Sequence, residues 1–207
     1  MRWDSLFDDL EGQLEQELRA DELDQRAEEE RLRIGRLGLR DRLLAIHGAA
    51  MSAPGRSHGE TPADEGAVRV ILNSGERIDV RPLAFGRDWF TARLVGDGRA
   101  RRQCVVPLAA VDALVLTGAQ VESSLAPVDS EPSLASRLTL PFLLRDLCRR
   151  RAAVDVRTLL GDVHGTIDRV GRDHFDLATH ESGRARRRSA VIDYRTVPID
   201  RLVLLRL

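Results

Sequence analysis

The sequence predicts a mainly β fold with helices: an N-terminal helix and two tandem small β-barrels, each led by a short helix. Three observations carry this expectation. Leucines and aromatics recur at helical spacing over residues 1–34. Blocks of residues around position 86 recur around position 171. The stretches between them are short, alternating and punctuated by Gly and Pro.

The first element follows from Trp3, Leu6, Phe7, Leu10, Leu14 and Leu18, which form one apolar stripe on a helix from about Asp4 to Arg33. Ser5 and Asp8 stand at capping-box spacing, and Glu15/Arg19 and Glu22/Arg26 are i,i+4 pairs in the favourable order. Gly12 opposes the helix by about 1 kcal/mol. Beyond Leu18 the stripe thins to Leu23, Ala27 and Ile34, short of a sustained heptad pattern. Packing on its own chain and dimerisation both remain open for this arm. Gly35 and Gly38 end it, and Leu39 to Ile46 reads as a short helix within residues 35–47. Residues 48–66, with Pro54, Gly55, Gly59, Pro62 and Gly66, have the composition of a flexible linker, as does a Ser/Pro-rich stretch at 122–136. The first barrel is then expected over 67–121, and a leading helix plus the second barrel over 137–207.

The two units read as copies. Gly86-Arg87-Asp88-Trp89-Phe90 recurs as Gly171-Arg172-Asp173-His174-Phe175, and Gly98-Arg99-Ala100-Arg101-Arg102 as Gly183-Arg184-Ala185-Arg186-Arg187. Val106-Pro107 and Val111 to Leu116 answer Val197-Pro198 and Ile199 to Leu204 after short insertions and deletions. Leu39-Arg40-Asp41 answers Leu144-Arg145-Asp146. Val154-Asp155-Val156 and His174 to Leu177 alternate as strands do, and Gly165 marks a bend in a strand from Val163 to Val170. Short, sharply bent strands bury a core by curling up, so the expected units are SH3-like or Sm-like small barrels of five strands.

Charge divides the chain. Of 32 basic residues, all arginine, and 33 acidic ones, residues 1–34 carry 12 acids and 5 arginines, residues 35–136 balance at 12 each, and residues 137–207 carry 9 acids and 15 arginines. A net charge of −1 therefore hides an acidic arm and a basic C-terminal part. The total excludes a uniformly basic nucleic-acid binder. Two cysteines without a Cys-x-x-Cys indicate neither a disulfide framework nor a cysteine zinc site. The opening Met1-Arg2-Trp3-Asp4 runs into acidic residues without an apolar signal core, and no stretch has membrane-span length, so the expectation is a cytoplasmic protein with no membrane partner.

Pro141 to Arg151, Val154-Asp155-Val156, Gly161, Val163 to Ile167, Asp173-x-Phe175 and Tyr194-Arg195 resemble, in order, the Sm-like, Hfq-type family of RNA chaperones over about residues 138–205. The resemblance implies a bent five-stranded barrel that often forms rings and holds RNA at its faces or rim. It also implies a uridine pocket formed by Phe175, Tyr194 and Arg195. The histidine that follows the Tyr-basic pair in that family is Thr196 here, and the first-strand aromatic is Arg157. The first repeat has no Tyr-basic pair.

RNA binding would require guanidinium groups for phosphates and planar groups for stacking. Arg149 to Arg151 and Arg184, Arg186, Arg187 and Arg188 supply the first, whereas aromatics make up only 4% of the chain. Phe175 has a core alternative, and the arginine run could equally pair with the chain's own acidic arm. Enzyme chemistry is not expected, nor is a cofactor. His164, His174 and His180 lack metal-ligand spacing, and neither a nucleophile elbow nor a phosphate loop is present. Cys148 reads as core packing. The expected function is thus non-enzymatic binding of RNA or single-stranded nucleic acid through the basic C-terminal unit. The alternative is a protein assembly or scaffold module that forms a homo-oligomer, or takes a protein partner, through the N-terminal helix. A DNA-associated regulator is weaker still, since no helix-turn-helix pattern is present.

Overall fold

The computed structural model describes residues 3–52, 66–96, 103–127, 134–183 and 188–207, with only the backbone described at 3–15, 17, 20 and 188. The chain divides into two compact units, residues 1–38 and 39–207. The first holds α1 (Trp3–Gly35). Its C-terminal half is a charged helix in which Glu22 pairs with Arg26 at 3.6 Å and Glu28 with Arg31 at 3.6 Å, while Leu18, Leu23 and Leu32 are exposed.

The second unit begins with α2 (Leu39–Ser52), followed by β1 (Val68–Leu72), β2 (Arg77–Phe85), β3 (Trp89–Leu94), β4 (Gln103–Pro107), β5 (Val111–Val115) and α3 (Gly118–Leu125). Then come α4 (Leu140–Arg150), β6 (Ala153–Thr158), β7 (Gly161–Val170), β8 (His174–Thr179), β9 (Tyr194–Pro198) and β10 (Leu202–Arg206). Local chemistry accounts for the elements. Thr117 and Gln120 form a reciprocal capping box at the start of α3, which runs from the end of the stretch read as the first barrel into the one read as a linker, and the Gln120 amide also donates to the Ala67 carbonyl at 2.8 Å. α4 opens with Pro141 in its first turn and buries Leu140, Leu144 and Leu147 on one side. β1 alternates, with Val68, Val70 and Leu72 inward.

The strands do not close into two barrels. They form one ten-stranded antiparallel sheet in the order β5-β1-β2-β3-β4-β10-β6-β7-β8-β9, which overturns the expected pair of SH3-like or Sm-like barrels. The physical reason is β10. It pairs with β6 of its own repeat, and its other edge is taken by β4 of the first repeat, with Leu205 opposite Val105 and Arg206 opposite Cys104. Each repeat therefore spends a sheet edge on the other repeat rather than on itself.

Within the sheet the halves have the same internal order, β5-β1-β2-β3-β4 and β10-β6-β7-β8-β9. Both carry a register shift in the second strand, at Pro82/Ala84 and Ile167/Arg169, where the strands bend. Arg40 of α2 donates to the Gly86 carbonyl at 2.7 Å, and Arg145 of α4 donates to the Gly171 carbonyl at 3.2 Å. The end of the repeat differs from the sequence alignment. A 3₁₀ turn at Leu108–Ala110 matches one at Ile199–Arg201, so Val111 is equivalent to Leu202 and no gap separates the last two strands.

Two apolar clusters lie against the sheet, and each borrows from the other half. Leu43, Val70, Phe90 and Val106 are joined by Val203 and Leu204 of β10. Leu144, Ile167, Phe175 and Leu177 are joined by Trp89 and Val105 of the first half, together with Leu202 and Leu205. The polar junction is a four-residue network: Arg157 hydrogen-bonds Glu76 and Asp162, and Arg206 reaches Asp162 at 3.2 Å and Glu76 at 3.7 Å.

Candidate nucleic-acid interface

The residues expected to meet RNA separate into three groups. Phe175 is 0% exposed within the second cluster and offers no face to a base, because alternation along β8 turns it inward with Leu177. Arg184, Arg186 and Arg187 lie outside the described residues, and of Arg188 the structure describes only a backbone in a 3₁₀ turn with Ser189 and Ala190. Tyr194 and Arg195 stand together at the start of β9, the last strand on one side of the sheet, opposite Ala178 and Leu177 of β8.

Tyr194 is 60% exposed, a large planar group left in solvent by a chain with few of them. The Arg195 side chain is 52% exposed and donates to the Asp193 carboxylate at 3.3 Å. Asp193 also accepts from the Thr179 hydroxyl, and this bond, ahead of the Arg195 contact, holds its carboxyl below the ordinary carboxylate range. The Asp193 amide in turn donates to the Thr179 hydroxyl oxygen at 3.2 Å, so the turn into β9 is pinned from both sides.

Below this turn lies a polar pair of histidines. His180 is 3% exposed, and its Nε2 is 2.9 Å from the Thr166 hydroxyl. His164 Nδ1 is 2.6 Å from Asp155, and the two rings meet edge to face with centroids 5.0 Å apart. Among the described residues no group of three or more His, Cys, Asp or Glu side chains is placed to hold a metal ion. Cys104 is fully buried and its thiol is pushed up to about 12 by that burial. Cys148 donates its thiol to the Asp168 carbonyl at 3.2 Å.

Beside β9 the structure holds a cavity of about 480 Å³, lined by the β6–β7 turn, by Val163, by Arg195 to Pro198 and by Arg201. Leu159 is 52% exposed on its rim and Leu160 is fully exposed. Sequence reasoning passed over this feature. Its signal was two consecutive leucines at Leu159-Leu160-Gly161, a position that the flanking strands make a turn, where apolar residues gain nothing from burial. Among the described residues no helix is long and apolar enough to cross a membrane. Comparison with protein-family models, curated proteins and solved structures finds no match for the chain.

Proposed function

We propose that this chain is a non-enzymatic module that binds single-stranded RNA in the cytoplasm through the outer edge of its C-terminal half. The observation that carries the reading is that Tyr194 and Arg195, consecutive at the start of β9, are both exposed. A tyrosine in solvent is a stacking platform for an unpaired base, and an exposed arginine on the same outer strand is a phosphate ligand. Two further points support it. Residues 137–207 carry 15 arginines against 9 acids, including the run from Arg184 to Arg188. The likeness of residues 138–205 to the Sm-like, Hfq-type chaperones rests on the Tyr194-Arg195 pair among other residues. Since Phe175 is buried, the site rests on one aromatic and on charge, and the reading expects modest sequence preference.

The test is fluorescence anisotropy of the full-length protein with labelled U-rich and mixed single-stranded RNA across a salt series. Binding near physiological salt is expected, weakened about 5- to 150-fold by Tyr194→Ala, the loss of one base stack of about 1–3 kcal/mol. Arg195→Ala is expected to lower the salt slope by about one. Affinity indifferent to Tyr194→Ala, or abolished for every variant at physiological salt, would sink the proposal. The assembly reading has its own structural observation, two sheet edges without a neighbouring strand among the described residues, and is developed next.

A further inference from the structure

β5 and β9 end the sheet, and the chain already shows what their counterparts do. By the repeat, β5 (Val111–Val115) is the equivalent of β10 (Leu202–Arg206), and β9 (Tyr194–Pro198) is the equivalent of β4 (Gln103–Pro107). In the middle of the sheet β4 and β10 are paired. At the ends the outer edges of their two copies meet no strand among the described residues.

Burial follows pairing position by position. Cys104, Val105 and Val106 are 0% exposed in β4, whereas the equivalent Arg195 and Thr196 are exposed and Val197 is half-buried. Leu202 to Leu205 are all at most 1% exposed in β10, whereas Val111, Ala113 and Leu114 are half-buried and Asp112 is exposed.

The cavity beside β9 has the same origin. In the first half Ile78, Cys104 and Val106 share a core cluster with Val203 and Leu204 of β10. Their equivalents Val163, Arg195 and Val197 line the cavity of about 480 Å³, where no β10-like strand arrives. The strand suited to meet it is β5, whose Asp112 and Ala113 stand where β10 brings Val203 and Leu204, so that Asp112 is brought to a lining that carries Arg195 and Arg201.

We infer that the chain associates head to tail with a second copy of itself, β5 of one pairing antiparallel with β9 of the other. The register is that of the internal junction: Leu114 opposite Thr196, Val115 opposite Arg195, and the Leu116 amide donating to the Tyr194 carbonyl as the Leu207 amide donates to that of Gln103 at 3.0 Å. The contact is heterologous, so each copy keeps one edge for a further copy until the assembly closes. This inference goes beyond the RNA reading; it uses the same strand, β9, and is tested by a separate readout, mass rather than RNA affinity.

The test uses full-length protein and light-scattering mass across a concentration series. In the inferred register the amides of Leu114 and Thr196 point outward, so Leu114→Pro and Thr196→Pro each remove one intermolecular hydrogen bond and leave the inner backbone ladder intact, while Thr196→Pro also loses the bond its hydroxyl donates to Asp176 at 2.8 Å. Wild type is expected at multiples of 23.1 kDa, and each variant at lower mass. Mixing the two variants is the decisive step. One retains β9 and the other β5, so a 1:1 complex of two chains is expected from the mixture and from neither variant alone. If Leu114→Pro proves unfolded by circular dichroism, Val115→Arg blocks the same edge by facing Arg195 and enters the mixture instead. A wild type that stays at 23.1 kDa, an oligomer that either substitution leaves intact, or a mixture that remains monomeric would each overturn the inference. Loss of RNA binding with the mass pattern intact would count against the RNA reading alone.

Discussion

Arg157 shows how much one side chain can decide. It stands where the resembled family carries an aromatic, yet it is only 22% exposed and joins Glu76 of one half to Asp162 of the other. Its guanidinium holds the Asp162 carboxyl below the ordinary carboxylate range, against the opposing effect of burial. A carboxyl whose pKa is depressed in the fold contributes stability above the ordinary carboxylate range and loses it as pH falls through the depressed value. Arg157→Met is therefore expected to cost about 2 kcal/mol at neutral pH, with the gap to wild type narrowing below pH ~4 in urea unfolding. A gap that stays constant down to pH ~2 would mean that the side chain acts through packing alone. The sequence offered Arg157 only as a departure from a motif. Its role depends on Glu76, 81 positions away, and no spacing rule reaches that far.

At the scale of elements, Gly165 was legible as a special position of β7, but the register shift lies two residues on, at Ile167/Arg169, and what Gly165 approaches was not legible. Gly165 sits inside a strand pattern from Val163 to Val170, which marks a bulge or a close approach. The structure supplies the object approached: a Cβ at Gly165 would lie 2.5 Å from the Ala178 carbonyl oxygen and 3.0 Å from Leu177. Gly165→Ala is expected to destabilise the fold by about 1–3 kcal/mol, since backbone must move to admit the methyl group. An unchanged midpoint in thermal denaturation would show that β8 yields without cost. The same alternation of residues that placed His174 to Leu177 on a strand also turns Phe175 inward, so the burial of this candidate RNA contact followed from the pattern. Exposure of Tyr194 did not, because a short strand flanked by charged residues has no apolar face to orient it. The helix α3 was missed for a related reason. Ser and Pro downstream dominated the composition, while the cap that fixes it rests on the single pair Thr117 and Gln120.

The repeat itself was readable at the scale of the whole molecule, whereas its assembly was misjudged. Matching blocks at 86 and 171 establish that two stretches are alike, but similarity within a chain carries no information about which edge each copy offers the other. The answer lies in β10, whose four apolar residues Leu202 to Leu205 divide between the two clusters. Residues 39–207 are accordingly expected to unfold in one calorimetric transition, and Leu205→Ala, costing about 2–5 kcal/mol, should shift that whole transition rather than split it. Two separable transitions would show that the halves are stable apart. Because the β4–β10 seam joins strands of one polypeptide, its effective concentration is fixed by the intervening chain and is untouched by dilution. Any seam between β5 and β9 of separate molecules has no such tether. On the inferred pairing, the same type of joint exists in a permanent form within the chain and in a second form set by how much protein is present, so that abundance alone would change the size of the assembly while leaving each molecule folded.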